Sequence, residues 1–350
     1  MDVRIDPKTF HGLLTAPSAR EALSAVTGVP LVIVEVSDAS SGRWLASLDI
    51  AGLPTVVVIL APDPAWLPID AASAADVVLT EDPAANGPFT APRHGLTASV
   101  TAISEILTAA PVAGTSLALL LRGSAAMPVP AALVAESVTY SALQEGAEFK
   151  RWRSANPPRP PGAETDRVRI SRSPGEIAIT LARPARRNAV DWRMRDDLVS
   201  ALEMALDEPD RRVVLGGSGP DFSAGGDLDE FGSRPDPARA HLIRLTRSPA
   251  LLLHRLASRT AARLHGHCLG AGIELPAFAA RVAAAEDTKI ALPEVGLGLI
   301  PGAGGTASLP RRIGRWRTAY LALSGDTLDA DQALAWGLVD EIIPSSGAGA

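Results

Sequence analysis

The sequence holds a single cysteine, Cys268, among 350 residues. One thiol excludes an intramolecular disulfide and any cysteine-based zinc cluster. With no nucleophile motif around it, Cys268 is read as a small packed residue. Lysine is scarce as well: the chain has Lys8, Lys150 and Lys289, and its other cations are arginines. Asp and Glu outnumber Lys and Arg by 39 to 33, a net charge of -6. A surface that tracks phosphates needs the opposite balance, so nucleic acid is excluded as a partner class, while a local arginine cluster remains able to meet a small acidic ligand. Long apolar runs are missing. Leu31–Val36 and Val56–Ala61 fall far short of the roughly 20 residues of a membrane helix. Met1-Asp-Val-Arg-Ile-Asp6 has no apolar core behind a basic start, so neither a signal peptide nor a membrane partner is read. The expectation is a soluble cytoplasmic protein.

What is present is enough apolar material for a core. Apolar residues make up 47% of the chain and charged residues 21%, which argues against wholesale disorder. The clearest seam is Ser154-Ala-Asn-Pro-Pro-Arg-Pro-Pro-Gly-Ala163, because clustered prolines neither continue a helix nor sit inside a sheet. It divides the chain into residues 1–160 and residues 164–350. The end, Ser345–Ala350, holds only Ser, Gly and Ala and is read as frayed.

Before the seam, a helix is read at Ala19–Val26, and the β-branched runs Leu31–Val36, Pro54–Leu60 and Asp76–Thr80 read as buried strands. Helical patterns follow at Leu96–Ala109, Thr115–Leu121 and Pro130–Trp152. After the seam, Val168–Ile170 and Ile177–Leu181 form a hairpin pattern around Ser173-Pro-Gly175. Then come a helix at Trp192–Leu206, a strand at Val213–Leu215, a helix through His241–Leu256 and a strand at Thr260–Leu264. A helix from Ile273, a strand at Lys289–Leu292, and helices at Gly304–Leu309 and Arg315–Leu323 complete the pattern. The alternation is that of an α/β fold whose loops carry the chemistry.

Three stretches place small residues where a strand gives way to a helix: Asp221-Phe-Ser-Ala-Gly-Gly-Asp-Leu228, Gly266-His-Cys-Leu-Gly-Ala-Gly-Ile-Glu274, and Leu292-Pro-Glu-Val-Gly-Leu-Gly-Leu-Ile-Pro-Gly-Ala-Gly-Gly-Thr306. Small residues let a ligand approach the backbone, and exposed N–H groups at a helix start are donors for a negatively charged oxygen. Any one of these turns alone would be an ordinary tight connection. Their combination and order, with Arg183-Pro-Ala-Arg-Arg-Asn-Ala-Val190 before them and Gly337-Leu-Val-Asp-Glu-Ile-Ile343 after, closely resemble the crotonase (enoyl-CoA hydratase/isomerase) superfamily over Val168–Ile343.

The resemblance implies a spiral of ββα units, here with an additional N-terminal α/β domain, assembled as a homo-oligomer of three or six copies. It assigns an oxyanion hole to the backbone N–H groups of Gly226 and Ala271; loss of one such donor typically costs about 10²–10³ in rate. Ala271 stands where the family commonly has Gly, a mild change because only the N–H is used. Ser223, Ala224, Gly226, Asp227 and Leu228 would border the coenzyme A part of the substrate, and Arg186 and Arg187 would meet its nucleotide end. Glu274 and Glu294 match the two acids of hydratases: adding water across a 2,3-double bond needs one group to take a proton and one to deliver it. The implied function is an enoyl-CoA hydratase-type lyase acting on an acyl-CoA thioester, with no separate cofactor and no metal. An enoyl-CoA isomerase, or a non-catalytic acyl-CoA-binding protein, is the alternative.

Two departures bear on the site. Ala280 replaces a common Asp, and Pro276 enters the helix after Glu274, changes that would alter the acyl pocket. His265 and His267 form a His-x-His pair with no third ligand in sight and are assigned to packing, as are His241 and His254. The chain also stops soon after the Gly-Leu-Val-Asp segment, where family members continue into a helical tail. Ala131–Trp152 looks like that tail. Residues 1–160 are thus read either as a degenerate second crotonase-like copy or as an unrelated accessory α/β domain, with the helices around Ala131–Trp152 expected over the acyl site or a subunit interface.

Overall fold

A computed structural model describes residues 2–159, 167–233 and 236–345. The boundary read at residues 160–164, and the end of the chain beyond Ser345, lie outside the described residues.

The first half runs β1 (Asp2–Ile5), α1 (Pro7–Leu14), α2 (Ala19–Ala22), β2 (Leu31–Glu35), α3 (Ala39–Gly42), β3 (Val56–Leu60), β4 (Val77–Leu79) and β5 (Phe89–Thr90). The helices α4 (Gly95–Ala109), α5 (Pro111–Ser124), α6 (Val129–Gln144) and α7 (Ala147–Ala155) follow. The five strands lie parallel in chain order. Side chains alternate across a strand, and here both faces are covered, which explains the unbroken β-branched runs. Leu31, Ile33, Val56 and Val58 enter one core, while Val32, Val34, Val57 and Ile59 enter a second on the opposite face.

The second half contains β6 (Val168–Ser173), β7 (Glu176–Leu181), α8 (Trp192–Leu206), β8 (Arg212–Gly217), α9 (Pro237–Thr246), α10 (Pro249–Leu256), β9 (Thr260–Leu264) and β10 (His267–Leu269). It continues with α11 (Ala271–Glu274), β11 (Arg281–Ala285), β12 (Lys289–Ala291), α12 (Gly305–Ser324), β13 (Leu328–Asp329), α13 (Ala330–Trp336) and β14 (Glu341–Ile343). β6 pairs antiparallel with β7, and β7, β8, β9, β11 and β14 then run parallel in chain order. β10, β12 and β13 make a small separate sheet. Both halves therefore wind five parallel strands in sequence. Among the described residues the first has no counterpart of the β6 hairpin, of the small sheet or of the Gly-rich loops.

Several element boundaries differ from the pattern in the sequence, each for a local reason. The helix expected at Pro130–Trp152 is two helices, because Gly146 is extended (φ -69°, ψ 153°) and opens α7. The helix expected at His241–Leu256 breaks before Pro249, which disfavours helix in the residue preceding it; Ser248 there accepts from Leu251 N and starts α10. The helix from Ile273 is a single turn, since Pro276 begins a separate tight turn. The two helices expected between Gly304 and Leu323 are both present within α12, where Gly314, with φ 77° and ψ 160°, breaks the helical backbone between them. The helix expected at Ala19–Val26 covers only Ala19–Ala22, and β1 and α1 were not foreseen.

The core does not divide at the proline-rich segment. Val100, Leu107, Leu117 and Leu133 from α4, α5 and α6 belong to the same buried cluster as Ile273, Leu309 and Leu323. α12 packs against α4, α5 and α6. Polar ties reinforce the contact: Ser124 Oγ donates to Thr306 O at 2.8 Å, Arg315 Nη1 to Ala75 O at 2.8 Å and Trp316 Nε1 to Ala72 O at 2.9 Å. Among the described residues no single helix is long and apolar enough to cross a membrane; the apolar pair α4 and α5 is bent by 112°.

Residues 164–350 expressed alone would leave the α12 face and the Leu309–Leu323 side chains uncovered, and large apolar patches drive association. The fragment is expected to be insoluble or to unfold without a cooperative transition. A soluble fragment that melts cooperatively in a circular-dichroism scan would show that α4–α7 are dispensable to the fold.

Candidate active site

The site begins with two loops held side by side by backbone bonds. Ser223 N donates to His267 O at 3.1 Å and Leu269 N to Ser223 O at 3.0 Å. Val190 N donates to Gly225 O at 2.8 Å, and Asp227 N returns to Val190 O at 3.0 Å. This lacing sets Gly226 next to the start of α11. Gly226 N and Ala271 N donate to no group among the described residues, so two amide donors border the cavity without a protein partner. Paired free donors at the end of a loop and the start of a helix suit a developing oxyanion.

Gly270 turns the chain into α11 with φ 48° and ψ -119°. A Cβ there would sit 2.1 Å from Glu294 Oε1 and 3.7 Å from Glu274 Oε1. The two carboxylates thus approach the same point, and glycine makes room for them. Glu274 is buried, and its Oε2 accepts from Ala303 N at 2.7 Å and Gly305 N at 2.8 Å. Glu294 is buried too, and its Oε2 accepts no hydrogen bond among the described residues. Burial, then the nearby charges of Glu294 and Glu136, push the Glu274 carboxyl well above its ordinary range. Burial likewise raises Glu294 to about 7, with Glu136 adding to the shift.

A cavity of about 260 Å³ opens over these groups. Gly226, Ala271, Glu274 and Glu294 line its floor, and Ile243, Arg244 and Ala250 from α9 and α10 form one wall. α6, packed against α9, extends that wall through Leu133, Glu136, Ser137, Tyr140 and Gln144. Tyr140 packs close: a Cβ on Gly302 would meet its ring at 2.5 Å. Arg244 stacks over the same ring at 4.9 Å from its centre.

The structure brings Gly226, Asp227, Ala271, Glu274 and Glu294 to the cavity and leaves the other residues singled out in the sequence away from it. Ser223 is an internal brace: its hydroxyl donates to Asn188 O at 2.8 Å and accepts from Gly225 N at 3.1 Å. Ala224 N donates to Arg187 O, and Leu228 is exposed, its carbonyl accepting from Arg153. Asp227 is paired with Arg183 at 2.6 Å. Arg186 pairs with Asp229 at 3.2 Å and Arg187 with Asp221 at 2.7 Å, outside the cavity lining. Burial opposes ionisation of Asp221, but Arg187 and His267 hold its carboxyl below the usual range. His267 and His265 bond to Asp221 and to the Gly219 carbonyl respectively. Ala280 is exposed and outside the lining, so its change from Asp does not touch the pocket. Pro276 lies one residue beyond Leu275, which does line it.

Motif reading did not single out the α6 residues as parts of the site. Their signal was present: Leu133, Glu136, Tyr140 and Gln144 recur at spacings of one helix face, and an acid sits on that face between Leu133 and Tyr140.

Gly270→Ala should lower stability by about 1–3 kcal/mol, because a Cβ at positive φ would strain the turn and displace Glu294. Gly296→Ala is the control, since nothing lies within 4 Å of its added Cβ. Equal midpoints in urea unfolding for the two variants would contradict this geometry.

The enoyl-CoA hydratase/isomerase family profile matches residues 172–347. The 2,3-dehydroadipyl-CoA hydratase of Escherichia coli (strain K12) is 36% identical over 179 residues, covering 50% of this chain and 69% of that protein. An enoyl-CoA isomerase/hydratase of Mycosarcoma maydis is 38% identical over 185 residues, covering 49% of this chain and 66% of that protein. In both comparisons the match spans about two thirds of the curated relative. The crystal structure of an enoyl-CoA hydratase from Thermoplasma volcanium GSS1 is 38% identical, with a TM-score of 0.48 over 51% of this chain and 72% of that one. With its profile match running over half the chain and both loop acids in place, the protein belongs to the enoyl-CoA hydratase/isomerase family.

Proposed function

We propose that the chain is an enoyl-CoA hydratase-type lyase that adds water across the 2,3-double bond of a 2-enoyl-CoA thioester. One observation carries the reading: Glu274 and Glu294 share a buried cavity beside the unpaired N–H groups of Gly226 and Ala271. In this reading the thioester oxygen accepts from both amides. One carboxylate takes a proton from water as the water oxygen bonds to C3. The double-bond electrons move through C2 to the thioester oxygen, giving an enolate that the two amides stabilise. The other acid delivers its proton to C2 as the carbonyl re-forms. The product has gained one water, and the two acids have exchanged protonation states.

The chemistry needs one acid protonated and one ionised, and burial serves it by raising both carboxyl groups toward neutrality. Arg186 and Arg187 would then meet the nucleotide end of coenzyme A only by adding phosphate contacts to the acidic partners they already hold. Assembly into trimers or pairs of trimers belongs to the same reading, and the mass of the protein in solution checks it.

Glu274→Gln and Glu294→Gln are each expected to lower kcat for crotonyl-CoA hydration by about 10²–10⁴, with acyl-CoA affinity nearly unchanged. The kcat/KM profile should be bell-shaped: activity falls at low pH, where both acids carry protons, and at high pH, where both are ionised. Faster isomerisation of a 3-enoyl-CoA than hydration of crotonyl-CoA would favour the isomerase. Binding with no turnover of any acyl-CoA would make the chain a non-catalytic binder.

A further inference from the structure

The start of α12 is held by two carboxylates from opposite halves of the chain. Ala303 N and Gly305 N donate to Glu274 Oε2 at 2.7 and 2.8 Å. The alternate amides, Gly304 N and Thr306 N, donate to Glu136 Oε1 at 2.7 Å and Oε2 at 2.9 Å. The Thr306 hydroxyl gives Glu136 a third bond at 2.7 Å. Both carboxylates are buried and draw on the same partial positive charge of a helix start. Two ionised carboxylates sharing such a site repel strongly, so the proton rests on one of them.

The surroundings decide which. Glu136 has three donors spread over both oxygens, whereas Glu274 has two donors on one oxygen and faces Glu294 as well. The cation facing Glu136 is Arg244 of α9, whose Nε donates to Ser137 Oγ at 2.9 Å. His241, also on α9, bonds the same hydroxyl at 2.9 Å. On α6 itself, burial pushes the Tyr140 phenol up, so it stays neutral. The remaining charged groups on packed elements are turned away or engaged. His254 and Arg255 of α10 are exposed, Arg122 of α5 pairs with Asp76, Arg311 of α12 donates to Ala307 O, and Glu148 of α7 accepts from Val112 N and Ala113 N. Glu136 is therefore the better-stabilised anion.

We infer that Glu136 is a positioning residue of the active site: by taking the Gly304 and Thr306 amides and the negative charge, it holds Glu274 protonated and aimed into the cavity. The inference rests on the reading of Glu274 as an acid–base group. Burial raises both carboxyl groups; hydrogen bonds from Thr306 and Gly304 and the charge of Arg244 counter it at Glu136, whereas Glu294 and Glu136 add to it at Glu274. Glu136 lies outside the segment that matches the family, so the N-terminal half contributes to the chemistry as well as to the fold.

The test reads protonation directly. The full-length protein is labelled with ¹³C at glutamate Cδ, and the Glu274 signal is identified by its disappearance in Glu274→Gln. In Glu136→Gln the Glu274 titration midpoint should fall by about 1 unit or more, because a like charge is removed and helix-start donors are released. Glu136→Asp, which keeps the charge, should restore most of the wild-type midpoint. The kcat/KM profile of Glu136→Gln should move toward lower pH with little change in KM. The NMR arm needs no turnover, so a failed hydratase reading leaves it decisive. A folded Glu136→Gln protein with lower Tm and an unmoved Glu274 midpoint would make Glu136 a helix cap alone and overturn the inference. If Glu136→Gln does not fold, Thr306→Val decides. Withdrawing the hydroxyl bond should raise the Glu136 midpoint and lower that of Glu274, and unchanged midpoints for both would overturn the inference equally.

Discussion

The structure turns on the first turn of α12, where four consecutive amides must find acceptors without water. A helix start buried in this way is costly unless every N–H is satisfied. Here the acceptors alternate between Glu274 and Glu136, so one local requirement recruits a side chain from each half of the chain. The same turn places Gly302 against Tyr140 and Ser124 against the Thr306 carbonyl. Docking of the N-terminal helices and construction of the acid pair are thus one event.

Three carboxylates buried around one cavity would normally be unstable, since each resists losing its hydration shell. Their burial is tolerable because desolvation keeps much of the charge off them and directs what remains to the best-donated position. Arg244 supplies a cation without contacting a carboxylate; it bonds instead to Ser137 and Ser141 and lies over Tyr140. Raised carboxyl groups are what acid–base chemistry near neutrality needs, so the unfavourable electrostatics and the proposed function have one physical origin. The apolar core that α12 shares with α4–α6 offsets the cost.

Much of this was legible in the sequence because it depends on local rules. β-Branched runs bounded by turn residues marked β2, β3, β7 and β8, while Gly226, Ala271, Glu274 and Glu294, which do line the cavity, were marked by the family resemblance that the ordered Gly-rich turns carry. Breaks at Gly146 and Pro249 were missed because helical periodicity runs through them, although the residues themselves are helix breakers. Short strands such as β10 and β14 carry too few residues to show a period and owe their existence to pairing partners. Glu136 was hidden for a different reason: its role exists only where α6 crosses the start of α12, a contact between residues 168 positions apart. No local pattern encodes that crossing; its traces are an acid on the buried face of α6 and the likeness of Ala131–Trp152 to a family tail expected over the acyl site.

The halves of the chain are therefore unequal in kind. The second carries the loops, the free amides and two acids. Among the described residues the first brings no Gly-rich loop and no free amide to the cavity, yet it supplies Leu133, Glu136, Ser137, Tyr140 and Gln144 to the wall, one of them a carboxylate. Its attachment is also polar as well as apolar: Arg315, Trp316 and Arg317 of α12 reach carbonyls at Ala75, Ala72 and Phe89 of the N-terminal half. Bonds to backbone carbonyls fix orientation more tightly than apolar contact, which is non-directional. A wall held in fixed orientation keeps the Glu136 oxygens at hydrogen-bond distance from the α12 amides, and a shift of even 1 Å there would disturb both acids together. The first half thus acts on the chemistry through the precision of its docking, and that precision comes from directional bonds made at the start of α12 and along its second part.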